Sequence, residues 1–451
     1  METAIAGIDL GRYRRIVQMF WDPEPTNDQS RNNPIWCLGN RYQLDPGGNE
    51  AVSEIRGDQQ DGYQTTDTPA TQPASLHGAS ETTAAPSSAG PPEPSSREKS
   101  PPSQAPEGGW PTGFLDDFES RFWMTYRSEF EPIMKSTDPR APSALSLAMR
   151  IKGRLGDQGG FESDSGWGCM IRSGQMLLAN TMSFLQLGRE WRRGEAVGVE
   201  RSLLSRFADD PRAPYSLHQF VEYGAAACGK YPGEWFGPSA TARCIRSLVE
   251  RNETKLRVYF TGDGPDVYQD RFMDIAKPHD GTFTPTLILV GTRLGIDKIT
   301  PVYWEALVAA LQLPQSVGIA GGRPSSSHYF VGAQSPFLFY LDPHHTRPAL
   351  PYHEAPEQYS ADDVDSVHTR RLRRLHLREM DPSMLLGFLI RDEDDWEDWK
   401  KSVKHVQGKA VIHVTDADLL NAGSMAGHRN IIDEVESLSE GEEDEQTGPG
   451  F

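Results

Sequence analysis

The chain has 451 residues with 64 acidic against 45 basic side chains, a formal net charge of -19. A balance so acidic excludes a general nucleic-acid binder, which needs clustered lysine and arginine to meet phosphates. Only 37% of the residues are hydrophobic, so part of the chain does not pack, and one catalytic-sized domain with unstructured segments fits better than two or three full domains.

The first segment carries Pro34-Ile35-Trp36-Cys37-Leu38-Gly39 and Tyr42, and is expected to pack on or near the main domain. Tyr13-Arg14-Arg15-Ile16 reads as an amphipathic helix turn, with strand addition to a partner as the other reading. No basic start followed by an apolar core marks a secretory signal. From Pro46 to Gly109 the chain turns to Ser, Thr, Pro, Ala, Gly and Gln, too poor in apolar surface to offset its ordering entropy. Order resumes at Phe114 to Trp123, with helical apolar spacing, and continues through Thr125-Tyr126-Arg127 to Phe130. A loop from Met134 to Gly160 leads into the next motif.

That motif is Ser163-Asp164-Ser165-Gly166-Trp167-Gly168-Cys169-Met170-Ile171-Arg172-Ser173-Gly174-Gln175. Turn formers run up to Gly168, and apolar residues then recur at Ile171, Gly174, Leu178, Met182 and Leu185 until Gly188, the pattern of a helix beginning at Cys169. A thiol there feels the positive end of the helix dipole, which favours thiolate. The dipole supplies roughly 0.3 to 2 kcal/mol, less than catalytic thiols require, so Cys169 as a nucleophile needs a histidine from elsewhere.

Helices are expected within Ser202 to Cys228, a loop at Tyr231 to Pro238, and a helix from Ser239. Leu256 to Phe260, Thr286 to Val290 and Val317 to Ala320 read as strands, and Pro301 to Leu311 as a helix. Apolar runs such as Pro285 to Val290 fall far short of the ~20 residues that span a bilayer. Ser327 to Gly332 and Phe337 to Asp342 read as a hairpin turning at Gln334-Ser335-Pro336. Beyond lie the basic run Arg370 to Arg378, apolar Met384 to Ile390, acidic and aromatic Asp392 to Trp399, and a tail from Ile431 with eight acidic residues and no lysine or arginine. Cys37, Cys169, Cys228 and Cys244 show neither a disulfide framework nor zinc-ligand spacing; a reduced, cytoplasmic setting follows, and no cofactor or metal is expected.

A helical first half carrying Cys169 and a strand-rich second half make an α+β chain, and the build resembles the left and right halves of papain-like cysteine proteases. The hairpin ends in Asp342-Pro343-His344-His345. Strand alternation would put Asp342 and His344 on one face, as a base and its orienter require. His328 is a rival base, because a turn at Ser335 brings it across the hairpin toward Asp342.

Together, Ser163 to Gln175, Thr125-Tyr126-Arg127, Trp235-Phe236-Gly237-Pro238, Pro314-Gln315-Ser316, Gly321-Gly322-Arg323-Pro324, His328-Tyr329-Phe330 and Leu341-Asp342-Pro343-His344 resemble the autophagins, the autophagy-related cysteine proteases numbered four. The resemblance runs from about Trp36 to Ile390. It implies Cys169 as nucleophile, His344 as base in preference to His328, Asp342 as its partner, and Tyr126 as an oxyanion-hole donor. It implies Trp235 as a cover over the site, and Gly321, Gly322, Pro324 and Ser325 as part of a mobile loop that clamps substrate. Gly166 and Gly168 would then help to shape a channel that admits glycine. The substrate so implied is a ubiquitin-like autophagy modifier of the autophagy-related protein eight type. It would be cut after its C-terminal glycine and later released from phosphatidylethanolamine, with a peripheral membrane encounter that the basic run at Arg370 could serve.

The organisation expected is a segment at 1–45 packing on or near a protease domain at 110–418, an inserted disordered stretch at 46–109 and an acidic disordered tail at 419–451. The expected location is cytoplasmic, transiently at autophagosomal or preautophagosomal membranes, with the nucleus as a further destination. A Cys-His-Asp acyltransferase and a catalytically idle modifier-binding module are the alternatives.

Overall fold

The computed structural model describes residues 24–28, 32–44, 50–52, 107–146, 149–150, 159–278, 281–406 and 408–417, with backbone only at 50–52. Tyr13 to Ile16, nearly all of the 46–109 insertion and the 419–451 tail lie outside the described residues.

In chain order the strands are β1 (Ile35–Cys37), β2 (Asn40–Leu44), β3 (Glu50–Val52), β4 (Arg127–Met134), β5 (Gly160–Ser163), β6 (Arg257–Phe260), β7 (Asp266–Tyr268), β8 (Thr286–Arg293), β9 (Ser316–Arg323), β10 (Ser326–Gln334), β11 (Phe337–Leu341), β12 (Arg347–Pro348), β13 (Arg374–His376), β14 (Ser383–Ile390) and β15 (His413–Thr415). The helices of eight or more residues are α1 (Thr112–Glu119), α2 (Cys169–Leu187), α3 (Val197–Ser205), α4 (Leu217–Ala227), α5 (Pro238–Asn252), α6 (Gln269–Ala276), α7 (Trp304–Gln312) and α8 (Glu393–Lys404). Among the described residues no helix is long and apolar enough to cross a membrane.

The main sheet runs β3-β2-β1-β10-β9-β14-β8-β6, with β11 also on β10 and β13 on β11. Of the N-terminal segment, Ile35–Cys37 and Asn40–Leu44 are part of this sheet. β9 pairs with Ser326 to Phe330 of β10, and β1 takes the strand up at Gly332 and Ala333. Every residue of β14 is buried, because both sheet faces are covered. Successive strand residues face opposite ways: a Cβ at Gly387 would meet Leu177 of α2, whereas Phe388 packs on Trp399 of α8. So α2 lies on one face and α8 on the other.

Sequence periodicity gives α2 one apolar face, but every residue from Cys169 to Phe184 is buried. Helix α5 closes its second side, and a Cβ at Gly174 would stand 2.4 Å from Thr241 Cγ2, so the missing side chain is what lets the two helices approach. The helix stops at Gly188, whose φ of 83° favours glycine. A buried helix of this kind is a rigid mount for its first residue.

Much of the basic run is engaged by acidic partners, although Arg371 and Arg378 are exposed. Arg370 binds Asp116 and Glu119, Arg371 faces Glu24, and Arg374 forks onto Asp28 while lying over the Phe337 ring. These arginines tie chain segments together, which leaves them poorly placed as an anionic-membrane contact.

Candidate active site

β5 ends at Ser163 and a tight turn follows. The Asp164 carbonyl accepts from the amides of Trp167 and Gly168, and α2 begins at Cys169. Asp164 is wholly buried, and its carboxylate accepts from the Arg127 amide at 2.6 Å and from Arg172 Nε at 2.7 Å. Arg172 also reaches Asp209 at 2.8 Å, so its charge is matched. One side chain thus ties the turn, the first turn of α2 and the residue after Tyr126. Gly168 is packed against this hub: a Cβ there would come within 2.4 Å of Asp164 Oδ2.

The hairpin of β10 and β11 delivers the partners. β11 ends at Leu341, one residue before the predicted strand end, because Pro343 has no amide to extend the ladder. What brings Asp342 and His344 together is a turn rather than strand alternation. Asp342 Oδ1 accepts from the His344 amide at 3.0 Å, an Asx-type turn, and from His344 Nδ1–H at 2.6 Å. The Trp123 indole N–H holds the Asp342 carbonyl at 2.6 Å, and the Tyr126 amide holds that of Pro343 at 2.8 Å.

With Nδ1 on Asp342, His344 presents Nε2 toward Cys169 and Ser326 Oγ, the latter at 3.3 Å. Cys169 is 2% exposed. Burial opposes its ionisation, but the hydrogen bond and charge of His344 outweigh that, helped by the Ser327 backbone and the Trp235 N–H, and the thiol pKa falls. Burial likewise opposes the imidazolium, yet hydrogen bonds and charges from Asp342 and Cys169 raise His344 to about 10. The two shifts describe a thiolate–imidazolium pair. Burial and the neighbouring thiolate push the Tyr126 hydroxyl well above its ordinary range, so it remains a proton donor beside Cys169.

His328 lies where the hairpin predicts, its Nε2 3.8 Å from Asp342 Oδ1, too far for a hydrogen bond. Burial lowers its pKa to about 3, so it stays neutral. His328, Asp342 and His344 bring their ligand atoms within 4.8 Å of one another.

The chain matches the Peptidase C54 catalytic domain over residues 111–402. It belongs to that family. Peptidase C54 proteins are papain-like cysteine proteases, and this chain is a thiol protease. Full-length relatives agree. It is 57% identical to the cysteine protease ATG4 of Gibberella zeae, over 98% of this chain and 99% of that one. It is 61% identical to a probable cysteine protease ATG4 of Cryphonectria parasitica, over 97% and 96%. It is 54% identical to cysteine protease 1 of Neurospora crassa, over 99% and 94%.

In this C54 protease Trp235 donates its indole N–H to Cys169 Sγ at 3.2 Å. The ring borders a cleft of about 240 Å³ that runs past Met170, Ser327 and the 321–325 segment to Arg293 and Ile296. Only part of the segment expected as a loop is one. Gly321 and Gly322 are in β9, laddered to His328 and Ser327, and only Pro324 and Ser325 form the turn. Both glycines answer crowding: a Cβ on Gly321 would meet Met384 Cβ at 2.9 Å, and one on Gly322 the Ser326 carbonyl oxygen at 2.0 Å. Ser325 takes a φ of 58°, a conformation that disfavours side chains. Asp164 and Trp123 go unread in the sequence as site residues, and Ser326 reads only as part of the clamping loop, not as a neighbour of His344. Ser-Asp-Ser-Gly reads as an ordinary turn, and no local pattern marks contacts across so many residues.

The arrangement can carry acyl transfer. Thiolate attack on a carbonyl would place the oxyanion between the Tyr126 hydroxyl and the Cys169 amide, which as a first-turn amide has no intrahelical acceptor. His344 Nε2–H would protonate the leaving amine, and water would then release the thioester with His344 as base.

Proposed function

We propose that the protease cuts a ubiquitin-like autophagy modifier of the autophagy-related protein eight type after its C-terminal glycine, and frees the same modifier from phosphatidylethanolamine. The observation that carries the reading is the cover on the thiol: Trp235 rests on Cys169 and borders a cleft that Gly321 and Gly322 also line. A slot under an indole takes an extended, side-chain-free backbone more readily than a branched residue. The names of the relatives, with their ATG4 designation, favour the same substrate class.

A peptide amide and a lipid amide share their acyl half, and only the leaving amine differs, so one nucleophile and one acid serve both. In this reading the enzyme works in the cytoplasm with visits to autophagosomal membranes, where the lipid-linked form would be met. Tyr126 acts as oxyanion donor, Trp235 as cover, and Gly321, Gly322, Pro324 and Ser325 as one wall in this reading.

The test is to mix the reduced full-length chain with a folded modifier precursor extended beyond its glycine, and separately with modifier linked to phosphatidylethanolamine in vesicles. Release of the extension and of the lipid is expected. No release of the extension overturns the substrate class, whereas failure on the lipid-linked form alone removes only deconjugation.

A further inference from the structure

We propose that His328, Asp342 and His344 form a zinc site, and that zinc held there shuts the protease off. The inference stands on geometry apart from the substrate reading. His328 Nε2, Asp342 Oδ1 and His344 Nδ1 converge on one point, with separations of 3.8 Å and 2.6 Å to Asp342 Oδ1 and all three atoms within 4.8 Å of one another. Zinc holds nitrogen and carboxylate ligands at about 2.0–2.2 Å, which sets tetrahedral ligand atoms about 3.4 Å apart. Shifts of about an ångström in these side chains give that spacing.

A second observation points the same way. His328 is 3% exposed, its Nε2 faces the Asp342 carboxylate at 3.8 Å without a hydrogen bond to it, and the Ser326 backbone hydrogen-bonds the ring. A neutral imidazole held by backbone, with its Nε2 turned toward a carboxylate, is presented as histidine ligands to metals are. Two imidazoles and one carboxylate make a donor set that zinc takes, with its fourth position to water. Asp342 supplies the way in, since its side chain is 30% exposed.

The chemistry of inhibition balances simply. Zinc bonds to the Nδ1 lone pair, the Nδ1 proton leaves to solvent, and Asp342 exchanges its hydrogen bond to His344 for a bond to the metal. The ring keeps one proton, on Nε2 beside Cys169. Giving that proton to a leaving amine would make an imidazolate, a far weaker acid step than from imidazolium, so acyl transfer stalls. The thiol takes no part in this site, which sets it apart from zinc caught between a catalytic cysteine and histidine.

Zinc ion alone is the probe, titrated by calorimetry into the full chain in metal-free, thiol-free buffer. The expected result is one ion per chain with similar affinity for wild type and Cys169→Ala, binding weakened by roughly tenfold or more in His328→Gln, and wild-type proteolysis lost with zinc and restored by a chelator. Loss of zinc binding in Cys169→Ala, no binding to wild type, or wild-type affinity in a folded His328→Gln would each overturn the proposal. If His328→Gln fails to fold by circular dichroism, cobalt(II) on the unsubstituted chain decides. Visible d–d bands without thiolate-to-cobalt charge transfer support the site, and a thiolate band refutes it.

Discussion

The indole N–H of Trp235 points at the sulfur of Cys169, 3.2 Å away, so one side chain both covers the thiol and helps to hold its charge. Covering and charge support separate in Trp235→Phe, which keeps a ring and loses the donor. A hydrogen bond to a charged group contributes about 1.5–3 kcal/mol, so the apparent thiol pKa should rise by roughly one to two units. The rate of alkylation by iodoacetamide against pH measures it, and an unmoved pKa would show that the indole contributes cover alone.

The Asp342-His344 pair should govern turnover. His344→Ala removes the acid and the charge that sustains the thiolate, and Asp342→Asn removes the acceptor that fixes Nδ1–H, so each is expected to lower kcat by about 10²–10⁴-fold. Proteolysis of a modifier precursor reads this out. Because the imidazolium persists to a pKa of about 10, wild-type kcat/KM should hold through neutral pH and decline as pH approaches that value. A decline already complete near pH 7 would contradict the ion pair.

His328 makes the fold sensitive to acid. Its folded pKa of about 3, set by burial, lies below the ~6.5 of an unfolded histidine. Between those values the unfolded chain takes up a proton that the folded chain refuses, so stability is full above pH 6.5 and is lost as pH falls, by up to ~1.4 kcal/mol per unit. Urea denaturation at pH 7 and pH 5 should therefore show wild type losing about 2 kcal/mol more than His328→Gln. Equal losses would mean that the folded imidazole ionises normally.

Gly168→Ala should cost about 1–3 kcal/mol, since its methyl would fall 2.4 Å from a buried Asp164 oxygen held on both sides. The displaced turn carries Cys169, so alkylation should slow along with the drop in denaturation midpoint. Full stability in Gly168→Ala would show that Asp164 has room to move.

Local chemistry made part of this molecule readable in advance. The switch from turn formers to helical spacing at Cys169, and the paired apolar runs on either side of Ser335, are short-range signals, and α2 and the β10–β11 hairpin appear where those signals fall. The resemblance implied a loop at Gly321 and Gly322, which lie in β9; what crowds them, Met384 and the Ser326 carbonyl, comes from neighbouring strands and leaves no local mark. β7 and α6 were missed because three residues of Asp266–Tyr268 make too short an alternation to register. The Asx turn at Asp342 gave the expected pairing by a different route, since a two-residue offset suits both a strand face and a side chain bonding the amide two residues on.

Strand β14 enters the sheet between β9 and β8 although it is among the last to be made. During synthesis Cys169 is thus exposed to the cell long before its imidazole partner and the strand that buttresses β9 have left the ribosome. An unpaired thiol in that interval lacks the charge support of His344 and remains a weak nucleophile. The ion pair that activates Cys169 therefore cannot form before the β10–β11 hairpin and the Asp342 turn have been made.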